Sequence, residues 1–310
     1  MSTVAVLKGG RSLERQVSLV SGARVEDALE RLGHDVEGID VGPDLVQRLR
    51  VLRPDVCFVA LHGRDGEDGT VQELLEILGI PYTGSGVSSC IRCADKVLAK
   101  HQMLDAGIPT PPFFAFTETA FKQLGAADAL AEIEQRLEFP IVVKPADQGS
   151  ALGIKVAQDA AAIPAALVAA FSYSAKVLLE RHVDGRDLAV SVLDGEALPV
   201  VEAVPEQAGL YDFEARYTIG RTHFVCPADL PPQTTARAQE LAVQVHELLG
   251  CRDVSRVDLL CDGDGALHVL EANVVPGLTE TSLLPQAADA AGIGFDELIG
   301  RLVERALRRA

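Results

Sequence analysis

Between Val4 and Gly84, short apolar runs alternate with longer amphipathic stretches. "VAVLKGG" reads as a strand closing on a turn, Val17, Val20, Val25 and Leu29 mark one face of a helix, and "DVEGIDV" reads as the next strand. "DVCFVALHG", a helix across "TVQELLEILG" and the run "IPYTG" repeat the theme. Strands that alternate with helices need crossover connections, so an α/β fold with a parallel sheet and helices on its faces is expected.

The rhythm changes at Asp95. "DKVLAKHQMLDAG" reads as a capped helix stopped by Gly107, and the prolines of "IPTPPFFAF" cannot extend it. "FPIVVKPADQGSALGIKVA" reads as two β-rich runs around a polar loop, Pro164 suits the start of a helix in "PAALVAAF", and "KVLLERHV" is another strand. After Gly185 a hairpin turns at Asp194-Gly195, and an irregular segment runs from Pro205 to Pro227. An irregular segment of that length in a compact domain is expected to be a functional lid. A helix over "TTARAQELAVQVHELLG", a second hairpin over 257–277 and a terminal helix over "FDELIGRLVERALRRA" follow. Three units are expected: an N-terminal α/β domain (1–94), a small central α+β domain (95–184) and a C-terminal α+β domain (185–310) with a mainly antiparallel sheet.

Composition narrows the class. The 310 residues are 48% hydrophobic and 24% charged, the balance of a folded globular protein. A formal net charge of −17 repels a phosphate backbone at long range, so no nucleic-acid partner is expected, although a few local Lys and Arg still suffice for a small anion. Six cysteines lack paired zinc spacing, and no thioredoxin-like strand leads into the one close pair, Cys90-x-x-Cys93. Reduced thiols in a cytoplasmic setting are expected. The N-terminus shows no basic segment before its apolar run, and "AAAIPAALVAAF" is broken by Pro164 and shorter than the roughly 18–20 apolar residues of a membrane span, so neither secretion nor a membrane is expected.

The second hairpin carries candidate chemistry. Glu271 and Asn273 are alternate residues on one strand and share a face, and pairing across the turn at Asp262 to Gly265 can set Asp258 beside them. Three oxygen ligands on one face suit Mg²⁺, which keeps several waters and binds through a few carboxylates plus substrate phosphates. A solvent-facing polar sheet surface is the alternative. Lys144 at a strand end precedes a loop with Gly149, Ser150 and Gly153, whose free N–H groups can cradle an anion. That loop matches neither the P-loop nor the dinucleotide fingerprint, and an ordinary hairpin turn is its alternative.

Eight ordered stretches carry a resemblance: "LKGGRSLERQVSL", "ALHGRDGEDGTVQ", "YTGSGV", Asp95-Lys96, "VVKPADQGSALG", "YDFEARY", "SRVDLL" and "LEANVVPGLTETSLLP". Along nearly its whole length the chain resembles the D-alanine–D-alanine ligases of the ATP-grasp superfamily. The resemblance implies a three-domain ATP-grasp fold and ATP-dependent ligation of two D-alanines through a D-alanyl phosphate, for peptidoglycan precursor synthesis. It implies two Mg²⁺ ions, with Mn²⁺ as a substitute, ATP as co-substrate and a homodimer. Asp258, Glu271 and Asn273 match the metal ligands, Lys96 and Lys144 the phosphate-binding lysines, and Glu180 an adenine contact. Glu14, Ser150 and Tyr217 resemble a trio that orients Glu14 toward the first amino acid's ammonium, and His62 would lie near the same substrate. Arg256 and the Gly277 N–H match an oxyanion-binding pair, and Ser282 and Leu283 the second amino acid's carboxylate site.

Two positions depart from the family. Arg216 stands before the lid tyrosine where Lys is usual, which exchanges a point charge for a planar fork, and Asp187 stands where the ribose-binding carboxylate is commonly Glu. D-Alanine–D-lactate or D-alanine–D-serine ligation is the nearest alternative, and Tyr217, where D-lactate-forming relatives depart, favours the dipeptide. A nicotinamide dehydrogenase is opposed by the missing G-x-G-x-x-G, and a silent ATP-binding module by the intact set of site residues.

Overall fold

The structure, a computed structural model, describes residues 1–205 and 221–309. In β1 (Thr3–Lys8) Val4, Ala5, Val6 and Leu7 are all fully buried, as a strand covered on both faces requires. It pairs in parallel with β2 (Asp35–Asp40) and β3 (Val56–Val59) in the order β2-β1-β3. "IPYTG" adds only a bridge, Cys57 to Tyr82, because the Thr83 hydroxyl rather than a backbone carbonyl accepts the Val59 N–H, at 3.0 Å.

Helix α1 (Arg15–Arg31) lays Val25, Ala28 and Leu29 on Val4, Val6 and Phe58. The face expected at Val17 and Val20 differs: Val20 is exposed, and Ser18, Ser21 and Gly22 are buried in its place. The close approach of β1 explains this, since a Cβ on Gly22 would lie 2.6 Å from the Lys8 side chain. The Ser18 hydroxyl accepts from Gly9 N at 2.8 Å and donates to the Ala60 carbonyl at 2.7 Å. Helices α2 (Leu45–Leu52) and α3 (Thr70–Leu78) cover the other face through Leu45, Leu49, Val71 and Leu75.

Asp95 separates α4 (Val87–Ala94) from α5 (Lys96–Asp105) and caps the latter, accepting from Val97 N and Leu98 N at 3.0 and 3.1 Å. A second, antiparallel sheet follows, ordered β4-β7-β5-β6, from β4 (Phe113–Thr117), β5 (Ile141–Pro145), β6 (Lys155–Ala157) and β7 (Lys176–Arg181). Helices α6 (Glu118–Gln123), α7 (Leu130–Leu137) and α8 (Ile163–Phe171) contribute to the core on one face of it, where Ile141, Val143, Val177 and Leu179 are buried.

The third sheet is antiparallel and larger. β8 (Gly185–Leu193), β10 (Val201–Pro205), β11 (Thr222–Val225), β12 (Val254–Asp262) and β13 (Leu267–Asn273) follow the path β11-β10-β8-β12-β13, and the short β9 (Glu196–Ala197) pairs with β8. Asp194 and Gly195, φ 60° and 84°, make the expected turn, since a two-residue hairpin of this kind needs both left-handed. Part of the segment expected to be irregular is strand β11, and residues 206–220 lie outside the described residues.

Alternation along these strands divides the sheet's duties. Leu188, Val190, Val257, Leu259 and Val269 pack beneath α9 (Pro232–Leu248), together with Ala99 and Met103 of α5. The opposite face carries Asp187 toward one end and Leu193 and Val254, which join the N-terminal core, at the other, with Asp258, directly opposite the core residue Ala189, and Arg256 between them. Helices α10 (Leu283–Ala290) and α11 (Phe295–Leu307) complete that core. Leu298, Ile299, Leu302 and Val303 bring the chain's last helix onto its first sheet. No helix among the described residues is long and apolar enough to cross a membrane.

Candidate active site

The second and third sheets face each other across a cavity of about 610 Å³. Val142, Lys144, Val156 and Glu180 line it from one side, and Asp187, Leu260 and Leu270 from the other. On β5 and β7 the lining residues alternate with the buried core residues Ile141, Val143 and Leu179, so each strand serves the core with one face and the cavity with the other.

The candidate metal face lies next to this cavity. Asp258 pairs directly with Glu271, and Arg256 with Asn273, which puts all four on one face. The ladder shifts between Asp258 and Leu259, and this bulge gives β13 the burial sequence Leu267 in, His268 out, Val269 in, then Leu270 and Glu271 both outward. Leu270 thereby enters the 610 Å³ cavity while Glu271 enters a second cleft of about 450 Å³ with Lys96, Gln148 and Asn273. Strict period-two alternation could not have anticipated the shift. Glu271 Oε2 lies 3.1 Å from Lys96 Nζ, and Lys96 also donates to the Gln148 carbonyl at 3.0 Å. Arg256 donates to both Asp258 oxygens at 2.7 and 2.9 Å, and Asn273 Nδ2 to Asp258 Oδ2 at 3.3 Å. Among the described residues no three His, Cys, Asp or Glu converge, the third donor here being an amide. Two opposed carboxylates and an amide oxygen within reach of phosphate-type cations form an all-oxygen donor set, which fits a hard divalent ion.

Lys144 and Glu180 meet at the floor of the nucleotide-sized cavity, Nζ to Oε1 at 2.7 Å. The sequence reading did not single out their third partner. Lys100 is fully buried, lies 2.5 Å from Glu180 Oε2, and donates to Thr110 Oγ1, which in turn donates to the Val269 carbonyl beside the bulge at 2.7 Å. Burial pulls the Lys100 ammonium down to about 8 even against the pull of Glu180. Burial alone would push the Glu180 carboxyl up, but Lys144 and Lys100 together hold it below the usual carboxylate range. The adenine contact that the resemblance gives Glu180 thus falls on a residue whose carboxylate both lysines already engage. Lys100 stands one helical turn after Lys96, and that i, i+4 spacing was the available signal.

Glu14, the residue before α1, is buried and accepts from the Ser150 hydroxyl through Oε1. Ser150 and Ala151 are both left-handed, φ 53° and 56°, a strained pair that carries the loop past Glu14. Gly63 makes the closest approach: at φ 71° it is left-handed, and a Cβ there would sit 2.0 Å from Glu14 Oε2. That oxygen is buried with no hydrogen-bond partner among the described residues, an acceptor left unmet. Burial, then the charge of Glu67, pushes the Glu14 carboxyl above its ordinary value against Ser150, His62 and Lys96. His62 is wedged, Nδ1 at 3.1 Å from the Val275 carbonyl and Nε2 at 2.9 Å from Ser21 Oγ, with Glu67 Oε1 3.6 Å from Nδ1. A carbonyl can only accept, so Nδ1 carries a proton. Gly63 and Glu67 were not singled out in advance.

Ser282 precedes α10, and its hydroxyl accepts from Thr279 N at 3.0 Å. The Leu283 side chain belongs to the core, so its backbone N–H at the helix start is what remains for a ligand. A Cβ on Gly277 would meet Ser282 Oγ at 2.7 Å, which keeps that turn narrow. Arg216 and Tyr217 lie outside the described residues.

Two apposed antiparallel sheets that clasp a cavity between lysines, beside a face of carboxylates, define an ATP-grasp enzyme. The family of the D-ala D-ala ligase C-terminus matches residues 103–304, and that of the D-ala D-ala ligase N-terminus matches residues 43–85. A D-alanine–D-alanine ligase of Syntrophotalea carbinolica is 44% identical over 99% of this chain and 96% of its own length, and one of Gloeobacter violaceus is 41% identical over 98% and 99%. Crystal structures of the Bacillus anthracis D-alanine–D-alanine ligase, one complexed with ATP, superpose with TM-scores of 0.85 and 0.87 at 31% and 32% identity. Both cover 100% of this chain and 98% of the Bacillus chain. The chain belongs to the D-alanine–D-alanine ligase family.

Proposed function

We infer that the protein joins two D-alanines into D-alanyl-D-alanine at the expense of ATP, as a step in making peptidoglycan precursors. The single observation that carries this reading is the buried Glu14 Oε2, without a hydrogen-bond partner among the described residues, behind Gly63 and Gly149, which line a cleft that also holds Glu271 and Lys96. It pairs an ammonium-seeking carboxylate with a phosphate-transfer face. A carboxylate is a poor electrophile, and phosphorylation by ATP turns it into an acyl phosphate that an amine can attack.

In this reading Glu14 holds the first D-alanine's ammonium, with Ser150 and His62 fixing the surrounding geometry. Lys96 and Lys144 neutralise charge on the transferred phosphoryl group. Asp187 and the apolar pair Leu260 and Leu270 receive the ribose and adenine. Asp258, Glu271 and Asn273 would hold Mg²⁺, which supplies charge neutralisation when bound. Arg256 and the Gly277 N–H stabilise the tetrahedral oxyanion, and the N-terminus of α10, with Ser282 and Leu283 N–H, receives the second D-alanine's carboxylate. The lid that the family resemblance implies around Tyr217 lies outside the described residues. The division into 1–94, 95–184 and 185–310 rests on the changes of pattern along the chain, the cytoplasmic setting on the unpaired cysteines and the lack of a signal segment, and a homodimer on the family resemblance.

The test is phosphate release from ATP and Mg²⁺ with D-alanine, L-alanine or no amino acid, with mass spectrometry of the product. D-Alanine-dependent release with a dipeptide mass, abolished by EDTA and restored by excess Mg²⁺, is expected. Release with D-alanine only when D-lactate is added, yielding an ester mass, would replace the dipeptide reading.

A further inference from the structure

Cys90 and Cys93 lie one turn apart on α4, yet the fold does not pair them. The Cys90 thiol is fully buried and donates to the Ser85 carbonyl at 3.5 Å. Cys93 turns instead to Cys251, and the two sulfurs stand 3.7 Å apart across 158 residues of sequence. Cys251 sits in the turn between α9 and β12, while Cys93 precedes Asp95 and Lys96 by less than a helical turn. The two thiols therefore join the approach to α5 with the root of the strand that carries Arg256 and Asp258.

We propose that Cys93 and Cys251 form a site of reversible disulfide formation, oxidised by peroxides. A disulfide needs sulfurs about 2.0 Å apart, so the pair needs an approach of roughly 1.7 Å. The two thiols are unequal. Cys251 is partly exposed, while Cys93 is buried and borders the 450 Å³ cleft. The hydrogen bond with Cys93, helped by Ser85, holds the Cys251 thiol below its ordinary value, while the same bond and burial push Cys93 up. Cys251 is the attacking thiolate and Cys93 the resolving thiol.

The steps balance without a further reactant. The Cys251 sulfur attacks one oxygen of hydrogen peroxide, the O–O bond breaks, and hydroxide leaves and takes up a proton as water. Cys251 is then a sulfenic acid. The Cys93 sulfur gives up its proton and attacks the Cys251 sulfur, the S–O bond breaks, and a second water leaves. Two thiols have lost two electrons to one peroxide. The cross-link closes a long loop of the unfolded chain, so the oxidised protein is expected to melt about 3 °C or more above the reduced one.

The experiment uses the full chain, reduced, freed of reductant and exposed to hydrogen peroxide. Remaining thiols are alkylated, non-reduced peptides are mapped by mass spectrometry, and melting is recorded with and without dithiothreitol. A Cys93–Cys251 cross-linked peptide and a raised melting temperature, both reversed by dithiothreitol and both absent in Cys251→Ser, are expected. A Cys90–Cys93 link, sulfinic acid on Cys251 without a cross-link, or thiols left unconsumed would each overturn the proposal. The wild-type peptide map decides alone if the variant does not fold. Ligase turnover is read separately, so failure of the thiol proposal leaves the functional reading untouched.

Discussion

Lys100 and Glu14 face the same energetic problem with opposite signs, since each is an ionisable group taken out of water. Lys100 bears charge below about pH 8 and loses it above. While charged it shares Glu180 with Lys144, which leaves Lys144 free to turn toward phosphate. Once it is neutral, Glu180 holds Lys144 alone. The wild-type KM for ATP is therefore expected to rise as pH passes about 8, and Lys100→Met to show a KM roughly tenfold higher already at pH 7, with a flat profile, in steady-state kinetics. A KM in the variant equal to wild type would remove Lys100 from ATP binding. Glu14→Gln keeps the shape and the Ser150 hydrogen bond but not the charge. A charge-assisted bond worth about 1.5–3 kcal/mol predicts a KM for D-alanine some 10- to 100-fold higher with the KM for ATP unchanged. Because Glu14 protonates above the usual carboxylate range, the wild-type KM for D-alanine should climb on acidification earlier than an exposed carboxylate would allow. Asp258, Glu271 and Asn273 were legible because strand alternation is written in the sequence. Gly63 and Glu67 were not, because close approach comes from elements far apart in the chain, and for Lys100 the i, i+4 spacing from Lys96 gave its side of the helix but not its burial against Glu180.

The helix α5 shows how much one element terminus controls. Asp95 caps it with two backbone bonds and also lies 2.5 Å from Lys176 Nζ on the second sheet. Lys96, the first helical residue, follows that cap directly and lies 3.1 Å from Glu271. Asp95→Ala is expected to cost about 1 kcal/mol of stability, seen in chemical denaturation, and to raise the KM for ATP more than this loss alone would. An unchanged KM would mean that Lys96 is placed by Gln148 and Glu271 without the cap. The cap itself was readable from "DK" before an amphipathic run. The β13 bulge was not, since it depends on a partner strand that slips by one residue. Nor was the replacement of Val17 and Val20 by Ser18, Ser21 and Gly22 on the buried face of α1, which follows from the tight passage of Lys8.

Across the whole molecule, sequence neighbours and spatial neighbours part company at the ends. The alternating strands and helices predicted the first sheet, but nothing local marked α11 as its cover. Leu298, Ile299, Leu302 and Val303 seal the face made by Val4, Val6 and Phe58, and Arg309 reaches Asp253 at 2.7 Å and the Tyr82 carbonyl at 2.8 Å. A chain ending before Phe295 is expected to lose cooperative unfolding of the N-terminal sheet and to aggregate, as followed by light scattering and circular dichroism. A truncated protein with an intact melting transition would contradict that dependence. The same closure sets an order for biosynthesis. A chain made from its N-terminus at about 5–20 residues per second leaves this face of β1–β3 covered by α1 alone for on the order of 10–50 s before α11 emerges from the ribosome. The nascent protein spends that interval as a client for whatever in the cell shields sticky surfaces.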